Sequence, residues 1–424
     1  MMTNFLWKGI IRDKGRSLLP VIVVTIGVFF IVFLDGLTGG MTNNMIKMTA
    51  SFQTGHFKIM TRAYSYNENQ KPNDLALLEI DVLLDGLKEK YPHIDWNPRI
   101  SFGGLLDIPD ANGETLAQGP VSGTAYDLLS PLSKEAERIG LEKAIIAGRE
   151  IRKQGEILVS VDFAEDFGLK PRETVTFFGS TMHGSMSFMN YEVAGIVRFG
   201  TSMLDKGAVI LDIDDGRQLL DMENAASEIL GFLPEDHYDK EMAEEIKVGF
   251  NAGYADDKDE YAPVMLQLAD QNMMRQTLEH NAAMTLNVLI LLVLALSIVL
   301  WNTGVLGGIR RYNEFGVRLA MGEEKGHIYR TLLTESLLIG CIGSILGTFL
   351  GLGLSLYVSK YGIDYGKLMD NMSMMMDPVI RSEISVRMLY IGFVPGVFSM
   401  LVGSALAGRA VYKRKTASLF KELD

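Results

Sequence analysis

Residues 312–322 read Tyr-Asn-Glu-Phe-Gly-Val-Arg-Leu-Ala-Met-Gly, a short charged stretch set between two long apolar runs. One run extends from Ala282 to Gly307 and leads into Arg310 and Arg311; the next begins near Ile328. Both are long enough to cross a bilayer, so the stretch between them is expected at a membrane face. Arg310, Arg311, Arg318, Lys325 and Arg330 crowd this one turnaround. Lys and Arg concentrate on the cytoplasmic side of short loops, which puts the stretch in the cytoplasm as a coupling element between two spans.

Working outward, a hydrocarbon core of about 30 Å requires about 20 apolar residues in a helix. Four segments qualify: Leu18 to Leu37, Ala282 to Gly307, Leu332 to Val358 and Met388 to Val411. Lys8, Arg12, Lys14 and Arg16 precede the first, and Lys413, Arg414 and Lys415 follow the last, so both termini are expected inside. Met1 to Arg16 reads either as an interfacial amphipathic helix or as the frayed start of the first span. A basic start before an apolar run is also the mark of a cleavable signal. Here the run is too long for one, and Asp35-Gly36-Leu37 lacks a small-residue cleavage pattern, so a retained anchor is expected.

The net charge of −12 conceals an asymmetry. Gly40 to Ala282 holds 22 Lys and Arg against 40 Asp and Glu, whereas the rest of the chain holds 18 against 12. The large interspan segment is thus acidic, which argues against a nucleic acid partner, since phosphate binding requires concentrated cations. Cys341, the single cysteine, falls inside the third span and excludes a disulfide within the chain.

Within the acidic segment, strand-like runs bounded by turn formers occur at His56–Met60, Gly104–Ile108, Ile157–Val161, Thr174–Phe178, Tyr191–Val197, Ala208–Leu211 and Ser227–Leu233. Helices are expected at Val82–Tyr91, Leu132–Ile139, Asp214–Met222 and Pro234–Gly249. The interspersion predicts an α+β domain. Met41, Met45, Met48 and Phe52 recur at helical spacing, as do Met265, Leu268, Met273 and Leu278 approximately, predicting that two helices continue out of the membrane as a stalk. Such a stalk either carries movement outward or is a static packed support.

In the third span Gly343, Gly347 and Gly351 are spaced by four, the arrangement that lets helix backbones approach closely. Packing within the chain is the simpler expectation, a seam between two copies the other. Pro395 and Gly396 allow a kink in the fourth span. Met369, Met372, Met374, Met375 and Met376 cluster in the last interspan loop, either as an adaptable apolar surface or, with their soft thioethers, as a Cu(I) site. The chain contains no Gly-x-x-x-x-Gly-Lys-Ser/Thr loop and no His-Glu-x-x-His helix, and its six histidines are scattered. Asp212, Asp214, Asp215 and Glu223 imitate part of a calcium loop, but Arg217 stands where glycine is needed. No catalytic residue, cofactor or metal site is therefore expected in this chain.

The pattern Arg-Arg-x-x-Glu-x-Gly-x-x-x-Ala-x-Gly over residues 310–322, followed by Ile328 and Glu335, resembles the C-terminal half of the FtsX-like, or MacB-like, ABC transporter permeases. The words Thr54-Gly55-His56, Gly155 to Ser160, Phe167-Gly168-Leu169 and Ala194 to Val197 are similar to the periplasmic core of MacB-like and lipoprotein-releasing (LolC/LolE-type) permeases. The resemblance implies an α-helical membrane protein with four transmembrane helices and a large α+β extracytoplasmic domain on a helical stalk. Residues 1–38 would hold the amphipathic segment and first span, 39–281 the extracytoplasmic domain and 282–424 the permease domain. An inserted second subdomain would lie near Val121 to Asn190.

It further implies that Arg310, Arg311, Glu314, Gly316, Arg318 and Gly322 form a lever against a separate ATPase subunit, which binds ATP and Mg. Other implied partners are a second permease copy or paralogue, membrane lipids, a lipoprotein or other amphiphilic substrate, and a periplasmic carrier or adaptor. The location would be the bacterial inner membrane. Lipoprotein release is the favoured activity, because no nucleotide-binding domain is fused and the extracytoplasmic domain is large. Export of peptides or antibiotics, and signalling without transport, are the alternatives. A substrate entering from the outer leaflet would meet Phe29, Phe30 and Phe33 on the first span and Met284, Val288 and Leu291 on the second.

Overall fold

The computed structural model describes residues 14–110, 113–199, 205–234, 238–255, 259–271, 274–310, 317–364 and 379–412. The chain divides into two compact units. One comprises residues 1–43, 278–363 and 380–424, the other residues 44–277 and 364–379.

Among the described residues four helices, lying mostly in the first unit, are long and apolar enough to cross a membrane. The first is Lys14–Thr49, the second Met274–Arg310 and the third Lys325–Tyr361. The fourth is split into Met388–Ile391 and Phe393–Tyr412 around Gly392. Pro395 accounts for the split, since it has no N–H for the Ile391 carbonyl and its ring crowds that turn. The irregularity thus falls one turn before the Pro395-Gly396 pair that announces it.

Met41, Met45, Met48 and Phe52 lie on one continuous helical path, Lys14–Thr49 followed by the π-turn Ala50–Thr54. The corresponding expectation for Met265 to Leu278 is wrong. Met265 belongs to a strand, Pro263–Gln267, Leu268 opens a 3₁₀ turn, and helix begins only at Met274; Met273 is outside the described residues. The apolar residues there satisfy a sheet, Met265 standing opposite Ile59, and periodicity over so few residues could not separate the two structures.

Among the described residues of its 44–277 portion, the second unit is built on twelve strands. They are β1 (Phe57–Thr61), β2 (Leu77–Leu78), β3 (Asp95–Pro109), β4 (Thr115–Tyr126), β5 (Ile145–Gly148) and β6 (Glu156–Ser160). Then come β7 (Thr174–Ser180), β8 (Met186–Val197), β9 (Ala208–Asp212), β10 (Ala225–Ala226), β11 (Glu228–Phe232) and β12 (Pro263–Gln267). Ten of them form one sheet, in the order β12-β1-β11-β3-β4-β9-β6-β8-β5 with β7 bridging β3 and β8. That bridge closes β3, β4, β9, β6, β8 and β7 into a small barrel, while β12, β1, β11 and the first part of β3 remain an open sheet.

The barrel interior is packed with buried apolar side chains, among them Leu106, Val159, Val175 and Val209, around Phe102 and Phe177, whose rings meet edge to face at 5.3 Å. The fold is α+β as expected, but the barrel draws on residues 100–212 and shares β3 with the open sheet, so it is not an insertion confined to Val121–Asn190. Expected helices also shift. Leu132–Ile139 shrinks to Glu135–Arg138, followed by a separate turn of helix at Leu141–Ala144, because Gly140 takes a left-handed conformation between them. Pro234–Gly249 becomes Lys240–Asn251, capped by Asp239, whose carboxylate accepts the Met242 N–H at 3.0 Å.

Candidate functional site

The coupling stretch is described from Val317 onward; Arg311, Glu314 and Gly316 lie outside the described residues, and of Arg310 only its backbone position at the end of the second helix is described. Residues 317–320 are helical and stop at Gly322. The Gly322 N–H donates to the Leu319 carbonyl at 3.0 Å and the Glu323 N–H to the Arg318 carbonyl at 3.1 Å, a Schellman closure with Gly322 at φ +92°. A Cβ at that φ would be strained, which explains the glycine. The chain then re-enters helix at Lys325, where the Glu324 carbonyl accepts the Ile328 N–H at 3.2 Å.

Val317 and Met321, one turn apart, are 59% and 74% exposed at this helix end. Sequence reasoning weighed the charges of this stretch and missed these two, although their spacing of four was readable. The element therefore offers an apolar knob beside Arg318 rather than a purely charged face.

The glycine stripe of the third helix meets the first helix. A Cβ on Gly343 would fall 2.8 Å from Val24, on Gly347 2.6 Å from the Thr25 carbonyl oxygen, and on Gly351 2.8 Å from Val32. Gly340, on the same helix, faces Val397 and Met400 of the fourth. The fourth helix replies with Gly396 against Ser344 and Val28. Without a hydrophobic drive between helices in lipid, such close approach is what holds a bundle together. The second helix joins through Leu296 over Gly27 and Leu300 over Gly403.

The six residues assigned to substrate fall on two helices. Phe29 and Phe33 stack at 6.3 Å with an interplanar angle of 9°, and Phe30 meets Phe29 edge to face at 5.2 Å. Phe30, Met284, Val288 and Leu291 are exposed, the last three following one another along one side of the second helix. They present apolar surface outward from the two helices.

A junction that sequence reasoning missed lies along the first helix, Lys14–Thr49, before its last turns. Gly36, Gly39 and Gly40 pack directly on Ser382, Glu383 and the Arg381 carbonyl in the segment that leads into the fourth helix. The Glu383 N–H donates to the Gly36 carbonyl at 2.9 Å, and Arg387 lies 3.6 Å from the Asp35 carboxylate. The cluster Asp35-Gly36 with Gly39-Gly40 was the available signal. The methionine cluster Met369–Met376 lies outside the described residues. Among the described residues no three His, Cys, Asp or Glu side chains gather as metal ligands.

Comparison with known proteins supplies the remaining findings. Residues 287–416 match the FtsX-like permease C-terminal family. The macrolide export ATP-binding/permease protein MacB of Escherichia coli is 33% identical over 86 residues, 19% of this chain and 13% of that protein. MacB of Psychrobacter arcticus is 23% identical over 360 residues, 79% of this chain and 48% of the relative. The chain thus spans less than half the length of these curated relatives. The crystal structure of the periplasmic region of MacB from Actinobacillus actinomycetemcomitans aligns with a TM-score of 0.36 and 12% identity, over 55% of this chain and 95% of that one.

Proposed function

We propose that this chain is an FtsX- and MacB-like ABC transporter permease, the membrane subunit that converts ATP hydrolysis on a separate ATPase into release of lipoprotein from the inner membrane, a reading supported by the family match over residues 287–416 and by the MacB relatives. The observation that supports it is the turn between the second and third helices. There a helix ended by Gly322 carries Arg318 between the exposed Val317 and Met321, inside the family-matched region. A rigid, capped element with an apolar knob and flanking charge suits docking into a groove on a partner subunit. Arg310, Arg311, Glu314 and Gly316 complete that lever in this reading, and ATP and Mg belong to the partner.

In the same reading the chain acts with a second copy or a paralogue, the large domain is extracytoplasmic, and both termini are cytoplasmic. Phe29, Phe30, Phe33, Met284, Val288 and Leu291 contact acyl chains, and a periplasmic carrier receives the cargo. The curated relatives are macrolide exporters by name, which supports a second reading, export of an amphiphile with an adaptor. The two separate by crosslinking. A photo-reactive residue at Phe30 or Val288 captures lipoprotein in nucleotide-free complex and releases it on ATP addition if the first reading is right. Capture indifferent to nucleotide, or of phospholipid alone, rejects lipoprotein release.

A further inference from the structure

Strand β3 changes partner part-way along its length. Asp95 to Arg99 pair with β11 of the open sheet, and from Ile100 onward the strand pairs with β4 of the barrel. The two substructures therefore meet at Arg99, on a strand they share. Strands twist and coil readily, so a shared strand alone sets the angle between its two halves loosely.

Charged side chains converge at that point. Arg99 is fully buried and its Nε donates to Oε2 of the fully buried Glu135 at 2.7 Å. Arg138 donates one terminal nitrogen to Oε1 of Glu135 and the other to Asp95 at 2.5 Å. The guanidinium of Arg138 lies 3.8 Å from the ring centre of Phe232 on β11. That of Arg99 lies 4.7 Å from Tyr126 on β4 and 5.7 Å from Phe232. One planar cation thus touches an aromatic face from each substructure while a carboxylate fixes its orientation. Arg99 Nη1 and Nη2 have no hydrogen-bond acceptor among the described residues, so Glu135 balances the charge of the guanidinium while the two ring faces add to its compensation.

Burying charges in this way is a poor source of stability, because desolvation offsets the attraction and apolar replacements of similar volume are often neutral or better. What the network supplies is direction. The Arg99 fork, the Glu135 bridge and the Arg138 link to Asp95 admit one arrangement of β3, β11 and the end of β4. We propose that Asp95, Arg99, Glu135 and Arg138 form an orientation lock that holds the barrel at one angle to the open sheet, so that the two move as a single rigid body.

The test uses the full chain in nanodiscs with Cys341→Ala and spin labels on Gln118→Cys of the barrel and Glu241→Cys beside the open sheet. In the triple variant Arg99→Met, Glu135→Leu, Arg138→Met, the electron–electron distance distribution is expected to broaden at least about twofold, with the melting midpoint moved by only a few degrees. A lowered midpoint with an unchanged distribution overturns the lock in favour of a merely structural role. If the triple variant shows no cooperative melt, Arg138→Met alone decides. It leaves the Arg99–Glu135 pair in place and is expected to broaden the distribution to a smaller extent, and a distribution identical to the parent's overturns the proposal.

Discussion

Gly347 of the third helix and Thr25 of the first lie in backbone contact, so close that a Cβ on Gly347 would stand 2.6 Å from the Thr25 carbonyl oxygen. Backbone cannot yield as a flexible side chain can. Gly347→Leu is therefore expected to separate the two helices and destabilise the bundle by about 1–3 kcal/mol or more. Gly353, on the same helix with open space around it, serves as control. Thermal melting in detergent should show a clear fall for Gly347→Leu and little change for Gly353→Leu; equal effects would remove the packing argument.

Gly322 tests the turn. Placing a Cβ at φ +92° costs roughly 1–2 kcal/mol locally and loosens the Schellman closure. Gly322→Ala is expected to lower ATP hydrolysis stimulated in the assembled complex several-fold while leaving membrane insertion intact. Gly326→Ala, inside the first turn of the third helix with nothing nearby, should not lower it. Loss of stimulation in both would point to a general disturbance of the loop.

The acid response of the second unit is expected to have a maximum. Burial pushes the Asp215 carboxyl up to about 6, although both its oxygens accept the Gly155 N–H at 3.1 and 3.0 Å. Its ionised form weakens the fold above about pH 6, and that penalty disappears as pH falls toward its ordinary value of 3.8. Glu156 behaves oppositely. Its bidentate bonds from Arg149, at 2.8 and 2.6 Å, hold its carboxyl down to about 2, so its stabilisation is full above 4.5 and is lost as pH falls toward 2. Melting followed by Trp96 emission in a Trp7→Phe, Trp301→Phe chain should peak at about pH 4, where the gain from Glu156 and the loss from Asp215 balance. Asp215→Asn should raise the midpoint at pH 8 and not at pH 4, and a uniform rise would rule out titration as the cause.

Orientation is tested with single cysteines in a Cys341→Ala background. Cysteine at Ser130 in the acidic domain is expected to react with an impermeant maleimide applied from the periplasmic side, and cysteine at Glu324 only after permeabilisation. The reverse order would invert the topology and remove the proposed lever from the side that holds ATP.

How much of this was legible depended on how local the physics was. A membrane-spanning helix satisfies its own backbone hydrogen bonds, so its apolar run alone announces it, and four runs became four helices. Gly322 likewise declared a helix end that needs only its own neighbours. Strand β4 stayed hidden because Gly119, Pro120 and Gly123 read as turn formers, whereas Gly119 makes room for the Phe163 and Phe167 rings and Gly123 for Phe102, rings brought there by other elements.

The four spans, the acidic character of the interspan domain and the glycine-ended turn were thus written in the chain itself. Which helix would fill the Gly343-Gly347-Gly351 groove, that β7 would close a barrel, and that Arg99 would find Glu135 were decided only by the tertiary structure. Each of those depends on a partner far along the chain, and a side chain or a glycine gap specifies the shape and charge it needs without specifying which distant segment will supply them.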